Sequence, residues 1–179
     1  MPFVAAEPDF ALKGGTAINL FVRPLPRLSL DIDLTYLPVV DRAASLAAID
    51  AAMRRIAEAI RAGIPNATVQ ETQGAEGATT KLVVRADAAQ IKIEVTPVLR
   101  GTVYDLVLTA VVPEVEDAFG FAEMHVVSFA DLYAEKIVAA MDRQHPRDLF
   151  DVRDLLANEG ISDDLRRAFI VYPAALCQS

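Results

Sequence analysis

Leu30-Asp31-Ile32-Asp33-Leu34-Thr35-Tyr36 alternates apolar and polar residues without a break. Successive side chains leave a strand on opposite sides, so this period marks a strand with one face in a core. Leu30, Ile32 and Leu34 share that face, and Asp31, Asp33 and Thr35 share the other. The chain must therefore build a sheet that buries one side of this segment and leaves two carboxylates on the opposite side.

The flanking segments supply the rest of such a sheet. Phe10-Ala11-Leu12 reads as a short strand. Lys13-Gly14-Gly15-Thr16 and the apolar run Ala17–Val22 read as strand, tight turn and helix start, with Pro24 and Pro26 ending the helix. Residues 41–62 carry Leu46, Ile49, Met53, Ile56 and Ile60 at helical spacing, with Asp41 as N-cap and Gly63 as C-cap. Thr68–Thr72 is a weak strand and Gly74–Gly77 a loop. Lys81–Arg85 and Gln90–Thr96 read as a hairpin about Ala86–Ala89, and alternation sets Lys92 and Glu94 opposite Ile91, Ile93 and Val95. Tyr104–Val112 is expected to be a strand ended by Pro113.

From Ser128 the period becomes helical, with Ser128 as cap and Leu132, Ile137, Val138 and Met141 as the apolar stripe. A second helix runs from Pro146 to about Asn158, and Gly160 ends it. A short last helix starts at Ser162 or Asp163. Residues 1–113 thus read as a mixed-sheet core and residues 114–179 as a helical C-terminal part, with the boundary within 114–127.

Composition narrows the function classes. At 179 residues, 53% hydrophobic and 23% charged, the chain can bury a real core and is not disordered. No apolar run approaches the ~20 residues of a membrane span, so no membrane partner is expected. The start, Met1–Glu7, lacks a basic stretch before an apolar one, so no signal peptide is expected and the cytoplasm is the default. The single cysteine, Cys177, excludes a cysteine-rich zinc site, and His125 and His145 lie too far apart for a local ligand pair. Seventeen Lys+Arg against 25 Asp+Glu give a net charge of −8, which argues against broad, non-specific nucleic-acid binding. That balance leaves room for a small basic site, and it makes a charged substrate arrive with a metal.

Four features carry chemistry. Asp31 and Asp33, two apart on one strand face, can share a divalent cation of the Mg²⁺ type, although two acids on a solvated face are common. Gly14-Gly15-Thr16 at a helix start can bring backbone N–H groups and a hydroxyl to a phosphate, or can be a plain strand-to-helix turn. Glu94 can complete a metal site or take the proton of an attacking hydroxyl, or can be an ordinary sheet-surface acid. Lys136, if it faces a cleft, can neutralise phosphate charge; Arg147 and Asp151, at i,i+4, read equally as a surface ion pair. Arg23, Arg27, Arg143 and Arg147 are candidates for holding RNA or triphosphate, and each singly is also a solubilising charge. Together the order of these parts is that of a metal-dependent phosphoryl-transfer site.

The blocks Leu12-Lys13-Gly14-Gly15-Thr16-Ala17, Arg27-x-Ser29-x-Asp31-Ile32-Asp33-Leu34, Glu135-Lys136 and Arg147-Asp148-Leu149-Phe150-Asp151 resemble the nucleotidyltransferase AbiEii/AbiGii toxin family, within the DNA polymerase β-like nucleotidyltransferase superfamily. The resemblance implies an α+β fold, a nucleotidyltransferase-like mixed sheet flanked by helices with a helical C-terminal part. It implies Mg²⁺ (or Mn²⁺), a nucleoside triphosphate as substrate, and a role as the toxin of a toxin–antitoxin or phage-defence pair. The acceptor it implies is RNA such as a tRNA end, and the protein partner is an antitoxin.

By position, Lys13, Gly14, Gly15, Thr16, Ser29 and Arg147 would hold the nucleotide. Asp31, Asp33 and Glu94 would bind metal, and these three with Lys136 and Asp148 would be the catalytic set. Relatives usually carry more helix at both ends, so the acceptor-binding part is expected to be reduced. The rival reading is a non-catalytic nucleotide-binding or antitoxin-interaction module. Transfer to a small molecule is a third.

Overall fold

The computed structural model describes residues 1–27, 29 and 31–176. Its order is α1 (Pro2–Ala5), β1 (Phe10–Lys13), α2 (Gly14–Ala17) continuing as a π-helical turn (Ile18–Val22), β2 (Asp31–Tyr36), α3 (Arg42–Gly63), β3 (Thr68–Gln73), β4 (Thr79–Ala86), β5 (Ala89–Arg100), β6 (Val107–Ala110), α4 (Pro113–Phe119), β7 (Glu123–Val126), α5 (Phe129–Arg143), α6 (Pro146–Asn158) and α7 (Asp163–Leu176). Two compact units form, one of residues 1–101 and 108–126, the other of residues 102–107 and 127–179.

The first unit is a mixed sheet in the order β3-β4-β5-β2-β1-β7-β6. β2 pairs antiparallel with β1 and parallel with β5, while β4 pairs antiparallel with both β3 and β5. The alternation holds over Asp31–Leu34, where Ile32 and Leu34 are buried and Asp31 and Asp33 half-exposed; Thr35, expected on the open face, is buried, and Leu30 lies outside the described residues. Ile49, Met53, Ile56 and Ile60 of α3 are buried and supply the apolar layer for the β3–β4–β5 half, where Leu82, Val84, Ile93 and Val95 are also buried. Asp41 caps α3, accepting from Ala44 N–H at 2.9 Å.

Two details of α3 differ from the sequence reading. Ser45 takes the buried place near the start and Leu46 only a half-buried one; the Ser45 hydroxyl donates to the Asp41 carbonyl at 2.9 Å and accepts from Arg100 Nη1 at 2.8 Å. Gly63 is the last helical residue and Ile64 the C-cap; a Cβ on Gly63 would meet the Phe3 ring at 2.6 Å.

The expected strand at Tyr104–Val112 is only Val107–Ala110, because the segment before it is claimed by the second unit. There the buried carboxylate of Asp131 accepts from Val103 N–H at 2.9 Å, Tyr104 N–H at 3.1 Å, Ser128 Oγ at 2.7 Å and Tyr172 Oη at 3.0 Å. Burial, then the charges of Asp131 and Glu135, push the Tyr172 phenol well above its usual range. Strand β7 forms in a stretch read as the helical boundary; its alternating Met124 and Val126 are buried. The helical unit packs α5 against α6 and α7 around Leu132, Tyr133, Leu155 and Leu165. Met141 of the expected stripe is 67% exposed, because α5 turns Leu132, Tyr133, Lys136 and Ala140 inward instead. α7 is longer than a short helix and runs through Pro173.

Candidate active site

Lys13 ends β1 in register with Asp33 of β2. Asp33 is in register with Glu94 of β5, and Glu94 with Lys81 of β4. Residues in register share a sheet face, so these side chains make one row across four strands. Asp31 begins a second row, beside Lys92. Lys81 and Glu94 form an ion pair, and Lys92 Nζ lies 3.9 Å from Asp31 Oδ1. The hydrogen bond to Glu94 holds the Lys81 ammonium above its ordinary range; lost solvation opposes this, and the charges of Glu94 and Asp31 add to it.

The glycine turn meets this row. Gly14 has φ +71°, a conformation that favours glycine. A Cβ on Gly14 would lie 2.5 Å from Asp33 Oδ2, so the carboxylate rests directly on the turn. A Cβ on Gly15 would lie 2.6 Å from Arg27 Nη2 and 3.1 Å from Ser29 Oγ. The Thr16 hydroxyl is hydrogen-bonded to Ser29 Oγ at 3.0 Å and to the carbonyl of Asp31. Lys13, Gly14, Gly15, Thr16, Arg27, Ser29, Asp31 and Asp33 are thus gathered by β1, the start of α2, β2 and the segment that leads into β2.

The sequence reading missed Asn19. It is fully buried, its Nδ2 donates to the Gly15 carbonyl at 2.6 Å, and its Oδ1 accepts from Arg27 N–H at 3.3 Å. A lone amide in the apolar run Ala17–Val22, four residues past Gly15, was the available signal.

Lys136 and Asp148 belong to the helical unit, on α5 and α6. Lys136 Nζ donates to Asp148 Oδ1 at 2.9 Å and lies 3.3 Å from Asp151 Oδ2. Arg143 Nε donates to Asp148 Oδ2 at 2.6 Å. The side chains of Lys136, Asp148 and Asp151 are buried. Burial opposes ionisation of Asp148, yet the hydrogen bonds from Arg143 and Lys136, and their charges, outweigh it and bring the carboxyl down to about 2. Asp151 therefore turns inward to Lys136 instead of lying on the surface. Arg147 is exposed in the first turn of α6, where its N–H donates to His145 Nδ1 at 3.2 Å.

Among the described residues, no three His, Cys, Asp or Glu side chains come together as a metal-holding group. The donor set at the turn is the pair Asp31 and Asp33, with Glu94 tied to Lys81. Two hard carboxylates on a half-open face fit Mg²⁺ or Mn²⁺, which take one or two carboxylates and complete their shell with waters and phosphate oxygens. Among the described residues no helix is long and apolar enough to cross a membrane.

The seven-stranded mixed sheet and its helices share the fold of a solved nucleotidyltransferase toxin. The solved structure of MenT4, nucleotidyltransferase toxin Rv2826c from Mycobacterium tuberculosis H37Rv, superposes with a TM-score of 0.68 at 22% identity, covering 93% of this chain and 56% of that one. This chain therefore spans little more than half the length of that neighbour. The profile of the nucleotidyl transferase AbiEii toxin family, of type IV toxin–antitoxin systems, matches residues 1–175, and the chain belongs to that family. No curated protein matches in sequence.

Proposed function

We propose that this chain transfers a nucleoside monophosphate from a nucleoside triphosphate to RNA, such as a tRNA end, as the toxin of its pair in the cytoplasm. The observation that carries the reading is the contact of Asp33 with the Gly14 turn, which makes phosphate-binding backbone and acidic pair one surface. Asp31 and Asp33 would hold the divalent cation. When bound, the cation offsets phosphate charge and acidifies the attacking hydroxyl.

The chain's own residues do the rest. Gly14 and Gly15 bind the triphosphate, with the Arg27 guanidinium over Gly15 and Lys13 beside Asp33 as its counter-charges; the buried Thr16 hydroxyl joins them only by releasing the Asp31 carbonyl. Asn19 holds the Gly15 peptide so that the turn keeps its shape. The acceptor oxygen forms a bond to the α-phosphorus, the bond to the β-phosphate bridge breaks, and pyrophosphate leaves. The hydroxyl proton passes to Glu94, which exchanges Lys81 for it. Lys136, Asp148 and Asp151 hold α5 on α6. Arg147, exposed, is a site for acceptor phosphate. The antitoxin is the expected protein partner.

The test is incubation with each α-labelled triphosphate and total RNA, wild type beside Asp31→Ala/Asp33→Ala. We expect label on RNA from the wild type only. Triphosphate binding that survives the double substitution, with no transfer by the wild type, would make the chain a non-catalytic nucleotide-binding module. Label on a small molecule without RNA would change the acceptor.

A further inference from the structure

The half of the sheet formed by β3, β4 and β5 has two unlike faces. One is apolar and packs on α3. The other is set by register: Thr68, Gln70 and Thr72 of β3, Lys81, Val83 and Arg85 of β4, and Gln90, Lys92 and Glu94 of β5. Thr68, Gln70, Thr72, Arg85 and Gln90 are exposed, and Lys81, Val83, Lys92 and Glu94 are half-exposed. In a chain with net charge −8, these nine positions hold three cations and one acid, and the acid is Glu94, in register with Asp33. Arg85 Nε donates to Gln90 Oε1 at 2.8 Å, which orients the guanidinium beside an amide.

We propose that this face is the track for the single-stranded end of a nucleic-acid acceptor, with Lys92, Lys81 and Arg85 receiving its phosphates and Gln70 and Gln90 its sugar and base edges. The inference rests on the transferase reading and gives its acceptor a place. Charge chooses the partner: with Glu94 on Lys81 and Asp31 near Lys92, three cations against one acid among these positions, beside neutral donors, still suit a polyanion. Position chooses the direction, because the track begins at the carboxylates. Three strand spacings separate β2 from β3, about 14 Å, room for a few nucleotides. Backbone-tracking cations with neutral polar neighbours also explain how an acidic protein handles RNA without a basic surface overall.

The experiment measures binding of a 3′-hydroxyl single-stranded RNA oligonucleotide as a function of salt, and Mg²⁺-dependent binding of labelled triphosphate in parallel. Arg85→Glu and Arg85→Ala are the main variants because Arg85 is remote in register from Asp31 and Asp33; Arg85→Lys is the rescue, and Arg166→Glu in the helical unit is the control. Arg85→Ala should lower the salt slope by about 0.7 and RNA affinity about fivefold at 0.1 M salt, the loss of one single-strand phosphate contact. Arg85→Glu should lose more, Arg85→Lys should recover most, and triphosphate binding should not change.

RNA affinity and salt slope untouched by Arg85→Glu would overturn the proposal. So would an equal loss in Arg166→Glu, or wild-type binding of an acidic protein in place of RNA. The two readings fail separately. Loss of RNA binding in Arg85→Glu while Asp31→Ala/Asp33→Ala still transfers label would sink the metal-site assignment and leave the track standing.

Discussion

In the sheet, Lys92 and Asp31 lie 3.9 Å apart with a third or more of each side chain open to water. In the helices, Lys136 and Asp148 lie 2.9 Å apart with 8% and 3% open. The residue types are the same. The difference is what surrounds them. An exposed pair is weakly coupled because water screens it, so the lysine ties Asp31 down little. A buried group has lost its water and depends on its partners, so Asp148, with Arg143 and Lys136 on it, is committed to the fold. Burial therefore separates an acid that solvent and solutes reach from acids closed inside the helical unit.

The sharpest test removes the acids. Asp31→Ala/Asp33→Ala should cut transfer by at least about a thousandfold, several kcal/mol of lost charge stabilisation, while moving the unfolding midpoint little, as surface substitutions do. Melting and label transfer measured on one preparation check this. In the helices the same kind of change should do the reverse. Asp148→Ala leaves Lys136 and Arg143 short of a buried acceptor and should cost about 3 kcal/mol in a urea titration followed by helical signal. Lys136→Met with Asp148→Leu and Asp151→Leu should restore most of that stability. If the restored protein binds triphosphate yet transfers nothing, Lys136 or Asp148 acts in the chemistry and the division by burial fails.

Much of this contrast was legible in the sequence, and the limit has a physical cause. Asp31 and Asp33 were readable because period two fixes which way a strand's side chains leave it. The caps Asp41 and Ser128 were readable because their bonds are local. Lys136 read as a cleft residue of the catalytic set and Asp151 as half of a surface ion pair with Arg147. Burial of a charge is decided by what another helix brings, here α6 to α5, and no local period encodes that. β7 was missed for the same reason: four residues form a strand because β1 and β6 lie on either side to pair with them. Asn19 was hidden because an amide in an apolar run has meaning only once its bonds to Gly15 and Arg27 exist.

Glycine substitutions test the join between turn and acids. Gly14→Ala requires φ +71° of an alanine and sets its Cβ 2.5 Å from Asp33 Oδ2. Strain of that kind costs about 1–3 kcal/mol, and the carboxylate must also move, so stability and transfer should fall together. At Gly15 the obstructing atom is the tip of the Arg27 side chain, which can swing away. Gly15→Ala should therefore spare stability and weaken triphosphate binding, which equilibrium binding of labelled triphosphate reads.

The smallest expected effect is acid dependence, and its sign is set by the buried cluster. The folded-state carboxyl of Asp148 titrates near about 2, below its ordinary 3.8. A depressed folded value means that its contribution is complete above the ordinary value and is lost as pH falls toward the folded one. Urea midpoints of the wild type should therefore include a decline between about pH 4 and pH 2 that Asp148→Asn, already lower at neutral pH, no longer shows in full. A decline that persists unchanged in Asp148→Asn would remove the buried carboxylate as its source, and the stability of the helical unit would then have to come from its apolar packing alone.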